Sequence, residues 1–394
     1  MITGLGAVSP LGLGVEALWE GLLAARSGIR KLTAFDTREY GVHRGGVVPR
    51  FEAAEHMAPE LVERAGRAAH YAIAATREAL AQAGAESVDA PERVGVCLGT
   101  TSAEIEAIEA ATLAAFAGEA PTTRAQTPAW QIPGFVAAAF GFSGPNALVP
   151  TACAAGNYAI GIGRDWLLDG RADLVVVGGV DPFSQTAFTG FHKLGSMAED
   201  VPRPFSKDRG GMMVGEGAGV LVLETLEHAR ARGARPIAEV LGYGLSCDAH
   251  HMTAPHPEGR GAIDAMRRAL ADAGLSPEAV DYVSAHGTGT EANDRIETRA
   301  IREVFGDRPL PVSSIKSMLA HTMGAASALE AIACALAIRD GRLPPTANFV
   351  APDPECALDC VPNASREAAI DVALSNAFAF GGNNAAVVLA RVTP

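Results

Sequence analysis

The sequence is short of the features that would send it to a membrane or out of the cell. No stretch approaches the roughly eighteen consecutive apolar residues of a membrane span, and the opening residues lack a basic segment followed by a signal-type apolar core. A cytoplasmic location is expected, with no membrane partner. There is no long basic run either, and 45 acidic against 32 basic residues give a formal net charge of −13. That balance argues against nucleic acid as a partner and leaves room only for local basic patches. Cysteine is too sparse for a disulfide framework: six residues, at 97, 153, 247, 334, 356 and 360, which a reducing compartment would leave free. Cys356 and Cys360 lie four apart without a nearby histidine or a second cysteine pair, so no metal site is expected. Gly4 and Gly6 do not make a dinucleotide loop, because the third glycine is misplaced and Pro10 interrupts the turn.

What is present is apolar and segmented. With 48% hydrophobic residues the chain can bury a large core and could hold two fused halves. A short strand at 1–6 leads to a helix at 15–25, and a complete edge strand would need a few residues before Met1. Residues 32–52 read as irregular, and 58–84 as one long amphipathic helix carrying Arg64, Arg67 and Arg77. A buried strand at 94–100, helices at 103–116 and 130–140, and a Thr/Pro-rich loop at 121–129 follow. The run 172–179 is continuously apolar, as in strands covered on both faces. Residues 182–213 are rich in glycine, proline and charge and read as an ordered loop. Strand 220–224 and helix 226–232 complete a first half. Strands at 238–243, 281–285, 310–314, 371–377 and 385–392, with helices at 259–274, 294–304 and 323–341, repeat the logic. The expected fold is α/β, with residues 1–235 and 236–394 as two similar halves stacked in layers.

Reactive residues fall where strands end. Pro150-Thr151-Ala152-Cys153-Ala154-Ala155-Gly156 closes an apolar run and opens a helix over 153–169, where the free amides of the first turn would favour a thiolate. Gly156, Gly161 and Gly163 each cost that helix about 1 kcal/mol relative to Ala, so it needs close packing. By itself Cys153 could be one more small buried residue. His286 stands between a strand and the turn Gly287-Thr288-Gly289-Thr290, and His321 precedes a small-residue helix start, with Lys316 five residues earlier. Either histidine alone reads as structural; loops on one side of an α/β sheet converge, however, so the three can share a pocket. The glycine turn 376–384 reads as a hairpin whose amides would serve an oxyanion if it faced Cys153.

Taken together, these segments resemble the β-ketoacyl-acyl carrier protein synthases of type II, condensing enzymes of the thiolase-like superfamily. The resemblance covers the whole chain: ITGLGAVSPLG at the start, TAC at 151–153, RPFSKDRGGMMVGEGAGVLVLE at 203–224, HMTAP at 251–255, AHGTGT at 285–290, SIKSMLAHTMGAASALE at 314–330 and the terminal FGG. It implies a thiolase-like fold, a layered α-β-α-β-α sandwich, and a cofactor-free decarboxylative Claisen condensation in fatty-acid elongation. Cys153 would take the acyl group, with the amides of Cys153 and Phe380 holding the oxyanion. His286 and His321 would polarise the malonyl thioester, and Lys316 would orient His321. The resemblance further implies that Thr288, Thr290 and Thr253 hold the pantetheine arm, that Phe191 lines the acyl channel, and that Phe380 and Gly381 gate it. Asp294, Glu297 and Glu330 would support the site from behind.

It also implies an acidic acyl carrier protein, acyl- or malonyl-loaded, as partner; Arg64, Arg67, Lys207 and Arg209 are the candidate docking residues. A homodimer, or a heterodimer with a chain length factor, is implied as well. Some positions depart from the pattern. Ala154-Ala155 follows the cysteine, Ala379 stands where many relatives have glycine, and His192-Lys193 replaces small residues. These keep open a second reading, a ketosynthase of a specialised type II polyketide or polyene pathway. A thiolase would want a second cysteine in 376–384, which is lacking, and a chain length factor would lack Cys153.

Overall fold

Two sheets form the body of the protein, and branched apolar residues explain both. The computed structural model describes residues 1–120 and 128–393, so 121–127 of the expected Thr/Pro-rich loop lie outside the described residues. In the first sheet the strands run Gly12–Leu13, Ile2–Ser9, Gly217–Glu224, Leu174–Asp181, Val94–Gly99 and Asn146–Val149 across its width. Every residue of Ile2–Ser9, Leu174–Asp181 and Gly217–Glu224 is buried, as both-face coverage demands. The second sheet runs Val312–Ser313, Tyr282–Ser284, Val372–Phe378, Asn383–Ala390 and Glu239–Cys247.

Apart from the two-residue edge strand Gly12–Leu13, both sheets have the same order. The first strand of each half lies at one side, the last strand beside it, then the fourth, second and third. The pairing senses match too: two antiparallel junctions followed by two parallel ones.

Between the sheets lie the helices Ala155–Leu168 and Ala326–Asp340, which touch each other and both sheets. Ala326 through Ile338 are all buried; a helix apolar all round belongs in such an interior. Outside, Arg67–Ala83 covers the first sheet and Arg260–Asp272 the second. The layers are therefore α-β-α-β-α. No helix among the described residues is long and apolar enough to cross a membrane.

The glycines of the cysteine helix are there for contact. A Cβ on Gly156 would sit 2.7 Å from the Ala328 amide nitrogen of the neighbouring central helix, and one on Gly163 would sit 2.2 Å from Val177 Cγ1 of the first sheet. The cost in helix propensity is offset by the close approach of three layers.

Four sequence expectations need correction. The helix expected over 58–84 is two, Pro59–Arg64 and Arg67–Ala83. The break at Gly66 admits the Glu104 carboxylate, which accepts the amides of Ala68 and Ala69 and so caps the second helix. The loop at 182–213 contains the helix Gln185–Lys193, capped by Ser184 Oγ, and Glu109 accepts its first amides. Residues 32–52 contain the strand Arg44–Gly46, paired with Ile29–Lys31. The cysteine helix begins at Ala155, after a single 3₁₀ turn at Ala152–Ala154.

Replacing Gly156 with Val should overpack the junction of the central helices and lower the urea midpoint by the equivalent of about 1–3 kcal/mol. Gly134→Ala, in the helix Gln131–Phe140 with open space among the described residues, should instead raise it slightly.

Candidate active site

Cys153 is presented by a strained turn. Ala152 holds φ at +50°, a left-handed backbone that a residue with a Cβ seldom adopts. The turn swings Cys153 out of line between the strand Asn146–Val149 and the helix behind it, and leaves it 6% exposed. The backbone amides of Cys153 itself and of Phe380 act on its sulfur in the direction that favours the thiolate. The resting thiol differs from the expected thiolate: burial pushes it up to about 11, the positive charge of Lys316 pulls it partly back, and Asp181 opposes that pull. Desolvation outweighs the helix start here.

The second half uses the same turn. Met323 holds φ at +55°, and a 3₁₀ turn at Met323–Ala325 leads into the second central helix just as Ala152–Ala154 leads into the first. The Met323 amide donates to Nδ1 of His321 at 3.2 Å, which assigns the proton to Nε2 of that ring. His286 lies across from it, ring centroids 5.4 Å apart and planes 81° to each other. Nδ1 of His286 is 3.5 Å from the Lys316 ammonium, so its proton too belongs on Nε2. Burial, with the charge of Lys316 as the next cause, holds both rings well below the ordinary histidine range. Both are neutral imidazoles with one N–H to give.

The support behind His286 is acidic. Helix Glu291–Phe305 sends Glu297 to accept the amides of His286 and Gly287, each at 2.7 Å, while Asp294 accepts those of Phe205 at 2.8 Å and Gly289 at 3.2 Å. Burial pushes Glu297 up to about 7 and Glu330 likewise to about 7. Glu330 is ion-paired with Lys316, both almost wholly enclosed. Lys316 thus sits against His286 and Glu330, whereas the sequence reading had it orienting His321, which a backbone amide holds instead.

Cys153, His286 and His321 line one cavity of about 160 Å³ with Thr288 and the facing rings of Phe191 and Phe380, 5.5 Å between centroids. Thr253 and Thr290 line the same cavity, and Thr290 Oγ1 is 2.9 Å from Thr288 Oγ1. Phe380 is 40% exposed at the mouth, and Gly381 turns there at φ +85°, its amide donating to the Met252 carbonyl. The docking candidates divide. Arg64 and Lys207 are exposed. Arg67 is half-buried and bonded to Tyr71 and Glu216. The side chain of Arg209 is 3% exposed against Asp353, so it is a tie within the protein and not open to a partner.

Sequence reasoning passed over Asp181. It is fully buried at the end of the strand Leu174–Asp181, where it accepts Thr100 Oγ1 and the amides of Thr101, Ser102 and Gly324. It ties the turn after His321 to the first sheet; a carboxylate closing an otherwise apolar run was the available signal.

Comparison with known proteins agrees with this geometry. The family described as "Beta-ketoacyl synthase, N-terminal domain" matches residues 1–229, and "Beta-ketoacyl synthase, C-terminal domain" matches residues 237–350. The 3-oxoacyl-[acyl-carrier-protein] synthase 2 of Synechocystis sp. is 41% identical, over 98% of this chain and 96% of its own. The protein of the same name from Staphylococcus aureus strain N315 is 40% identical over 99% of this chain and 98% of its own. Among solved structures, the ishigamide ketosynthase/chain length factor superposes with a TM-score of 0.95 at 44% identity, covering 100% of this chain and 98% of that one. A type II polyketide ketosynthase, in complex with its acyl-carrier protein and bound to the hexaketide, gives 0.90 at 31% identity, over 100% and 98%. A cysteine on a strained strand-to-helix turn, two imidazole donors and a sandwich of two like halves accord with the family matches over nearly the full length, and the chain belongs to the beta-ketoacyl synthase family.

Proposed function

We propose that the protein is a β-ketoacyl-acyl carrier protein synthase, an acyltransferase that joins an acyl group held on Cys153 to a malonyl unit on acyl carrier protein. The convergence of Cys153 with two neutral Nε2–H donors in one cavity carries this reading. Sγ of Cys153 attacks the acyl thioester, and the carrier thiol leaves with the proton. The amides of Cys153 and Phe380 hold the tetrahedral oxyanion. In the second half-reaction His286 and His321 donate to the malonyl thioester oxygen. The bond to the carboxylate breaks, carbon dioxide leaves, and the enolate carbon attacks the waiting acyl carbonyl. Collapse restores the cysteine sulfur. Neutral imidazoles suit this task, since they stabilise an enolate oxygen without giving up a proton to it.

Lys316 and Glu330 act as positioning residues behind His286; Thr288, Thr290 and Thr253 hold the pantetheine arm; Phe191, Phe380 and Gly381 form the channel and its gate. Residues 1–235 and 236–394 are taken as the two halves, a division that the repeated strand order and the family matches at 1–229 and 237–350 support. The protein is placed in the cytoplasm, as a homodimer in fatty-acid elongation. A second reading, a ketosynthase of a type II polyketide or polyene pathway paired with a chain length factor, is favoured by the 44% identity and TM-score of 0.95 to the ishigamide ketosynthase/chain length factor and by Ala379 in the gate.

Intact-mass spectrometry after exposure to saturated and polyunsaturated acyl-carrier thioesters should show one acyl adduct on the wild type and none on Cys153→Ala. The preferred chain separates the two readings; no adduct with any donor, in the presence or absence of a chain length factor, would overturn both. Alkylation of Cys153 by iodoacetamide should climb with pH towards about 11. Lys316→Met combined with Glu330→Gln removes the charge that favours thiolate, so at pH 8 it should slow alkylation; an unchanged rate would contradict that role for Lys316. As pH falls, any loss of condensation rate should set in near 7, where Glu297 and Glu330 take up protons, with no further step at the ordinary histidine range, because both imidazoles are held neutral well below it. His286→Gln and His321→Gln should keep acylation by mass while losing release of carbon dioxide from malonyl carrier protein.

A further inference from the structure

Asp181 is a buried carboxylate that the proposed reaction leaves without a task. It ends the strand Leu174–Asp181 at 0% exposure. Five groups donate to it: Thr100 Oγ1 at 2.8 Å, Ser102 Oγ at 2.9 Å, and the amides of Thr101 at 2.7 Å, Ser102 at 2.8 Å and Gly324 at 2.6 Å. Three amides and two hydroxyls suit the ionised form, which only accepts. Four of these donors belong to the loop 100–102 of the first half, and the fifth to the turn after His321 in the second.

The Gly324 bond reaches the imidazole in two steps. Met323 is held at φ +55°; its own amide donates to His321 Nδ1, and the next amide, that of Gly324, donates to Asp181. A strained residue keeps its conformation only while the surroundings pin it. The chain before it is fixed independently, because the His321 amide donates to the Met213 carbonyl and its carbonyl accepts the Gly215 amide. Strand and turn meet without slack: a Cβ on Gly179 would lie 2.1 Å from the Gly324 carbonyl oxygen, and one on Gly324 would lie 2.6 Å from Asp181 Oδ2.

We propose that Asp181 is a positioning residue for the decarboxylating half of the reaction, holding the Met323 turn so that His321 keeps its Nε2–H in the cavity it shares with Cys153. The inference rests on the condensing-enzyme reading. The same carboxylate acts on the sulfur through its charge. Burial sets the Cys153 thiol high, Lys316 draws it down, and Asp181 opposes that pull. The other titratable groups in the cavity with Cys153 are His286 and His321, both neutral, with Glu330 against Lys316 and Glu297 behind His286.

The test compares Asp181→Ala, which loses both tie and charge, with Asp181→Asn, which loses the charge and must turn its NH2 towards at least one of the three amides. Three rates are followed: release of carbon dioxide from malonyl-acyl carrier protein, acylation of Cys153 by octanoyl-pantetheine read by mass, and alkylation by iodoacetamide at pH 8. Asp181→Ala should lose carbon dioxide release by about tenfold or more and acylation by much less, a split that general damage to the fold would not produce. Asp181→Asn should show a smaller split in the same direction. Both should alkylate severalfold faster than wild type, since without the anion Lys316 is unopposed and more of the sulfur is thiolate. Equal losses of release and acylation, or no loss of release, would overturn the positioning role, and Asp181→Asn decides this alone if the alanine variant does not fold. A wild-type alkylation rate in a folded variant would overturn the part played by the charge. Failure of the wild type to release carbon dioxide or to take up the octanoyl group would instead overturn the condensing-enzyme reading.

Discussion

A buried ion pair organises the chemistry of this protein. Lys316 and Glu330 meet between the two sheets, 2% and 1% exposed, where each charge alone would cost several kcal/mol. The pair is tolerable because the partners neutralise each other at contact, and its field reaches everything that reacts. Burial, with the charge of Lys316 as the next cause, keeps His286 and His321 unprotonated, and the same ammonium draws the Cys153 thiol down from where burial alone would leave it. One ammonium thus serves opposite needs: a base-free donor pair on one side and an easier thiolate on the other. Removing one partner alone would leave the other stranded in the interior, which explains why the group sits in the most enclosed layer of the fold.

Around that pair, backbone amides do most of the positioning. Buried carboxylates at Glu297, Asp294 and Asp181 gather the amides of His286, of the turns after His286 and His321, and of Phe205, and fix them to rigid helices and strands. Loops that would otherwise pay a large ordering entropy on substrate binding are held in advance. Satisfied amides also account for how these acids stay buried at all.

Much of this was legible before the structure. The continuous apolar run at 172–179 announced a strand covered on both faces, and Gly156, Gly161 and Gly163 announced a helix that needs close packing. The convergence of Cys153, His286 and His321 followed from reactive residues at strand ends together with motif order. What escaped depends on contacts distant in sequence. The cap that splits 58–84 comes from Glu104, and the helix Gln185–Lys193 is stabilised by Glu109; neither acid is near in the chain. The thiolate expected from the helix start gave way to burial, which local sequence does not report. The docking guesses at Arg67 and Arg209 counted charges without knowing that internal acids already occupied them.

The repeated turn has a consequence for how the enzyme could change over time. Ala152 and Met323 bend the chain alike at the same place in two halves of the same strand order, yet one turn delivers a sulfur and the other steadies an imidazole. The candidate reaction centre is therefore a seam between two halves of like strand order; on the proposed function the first holds the acyl chain, and the second supplies both imidazoles and the Phe380 amide. Drift in one half can erode the ability to load an acyl chain while the other retains the ability to shed carbon dioxide. Loss of function in such a lineage would proceed by halves, leaving decarboxylases without a nucleophile or acyl-holding proteins without a partner carbon.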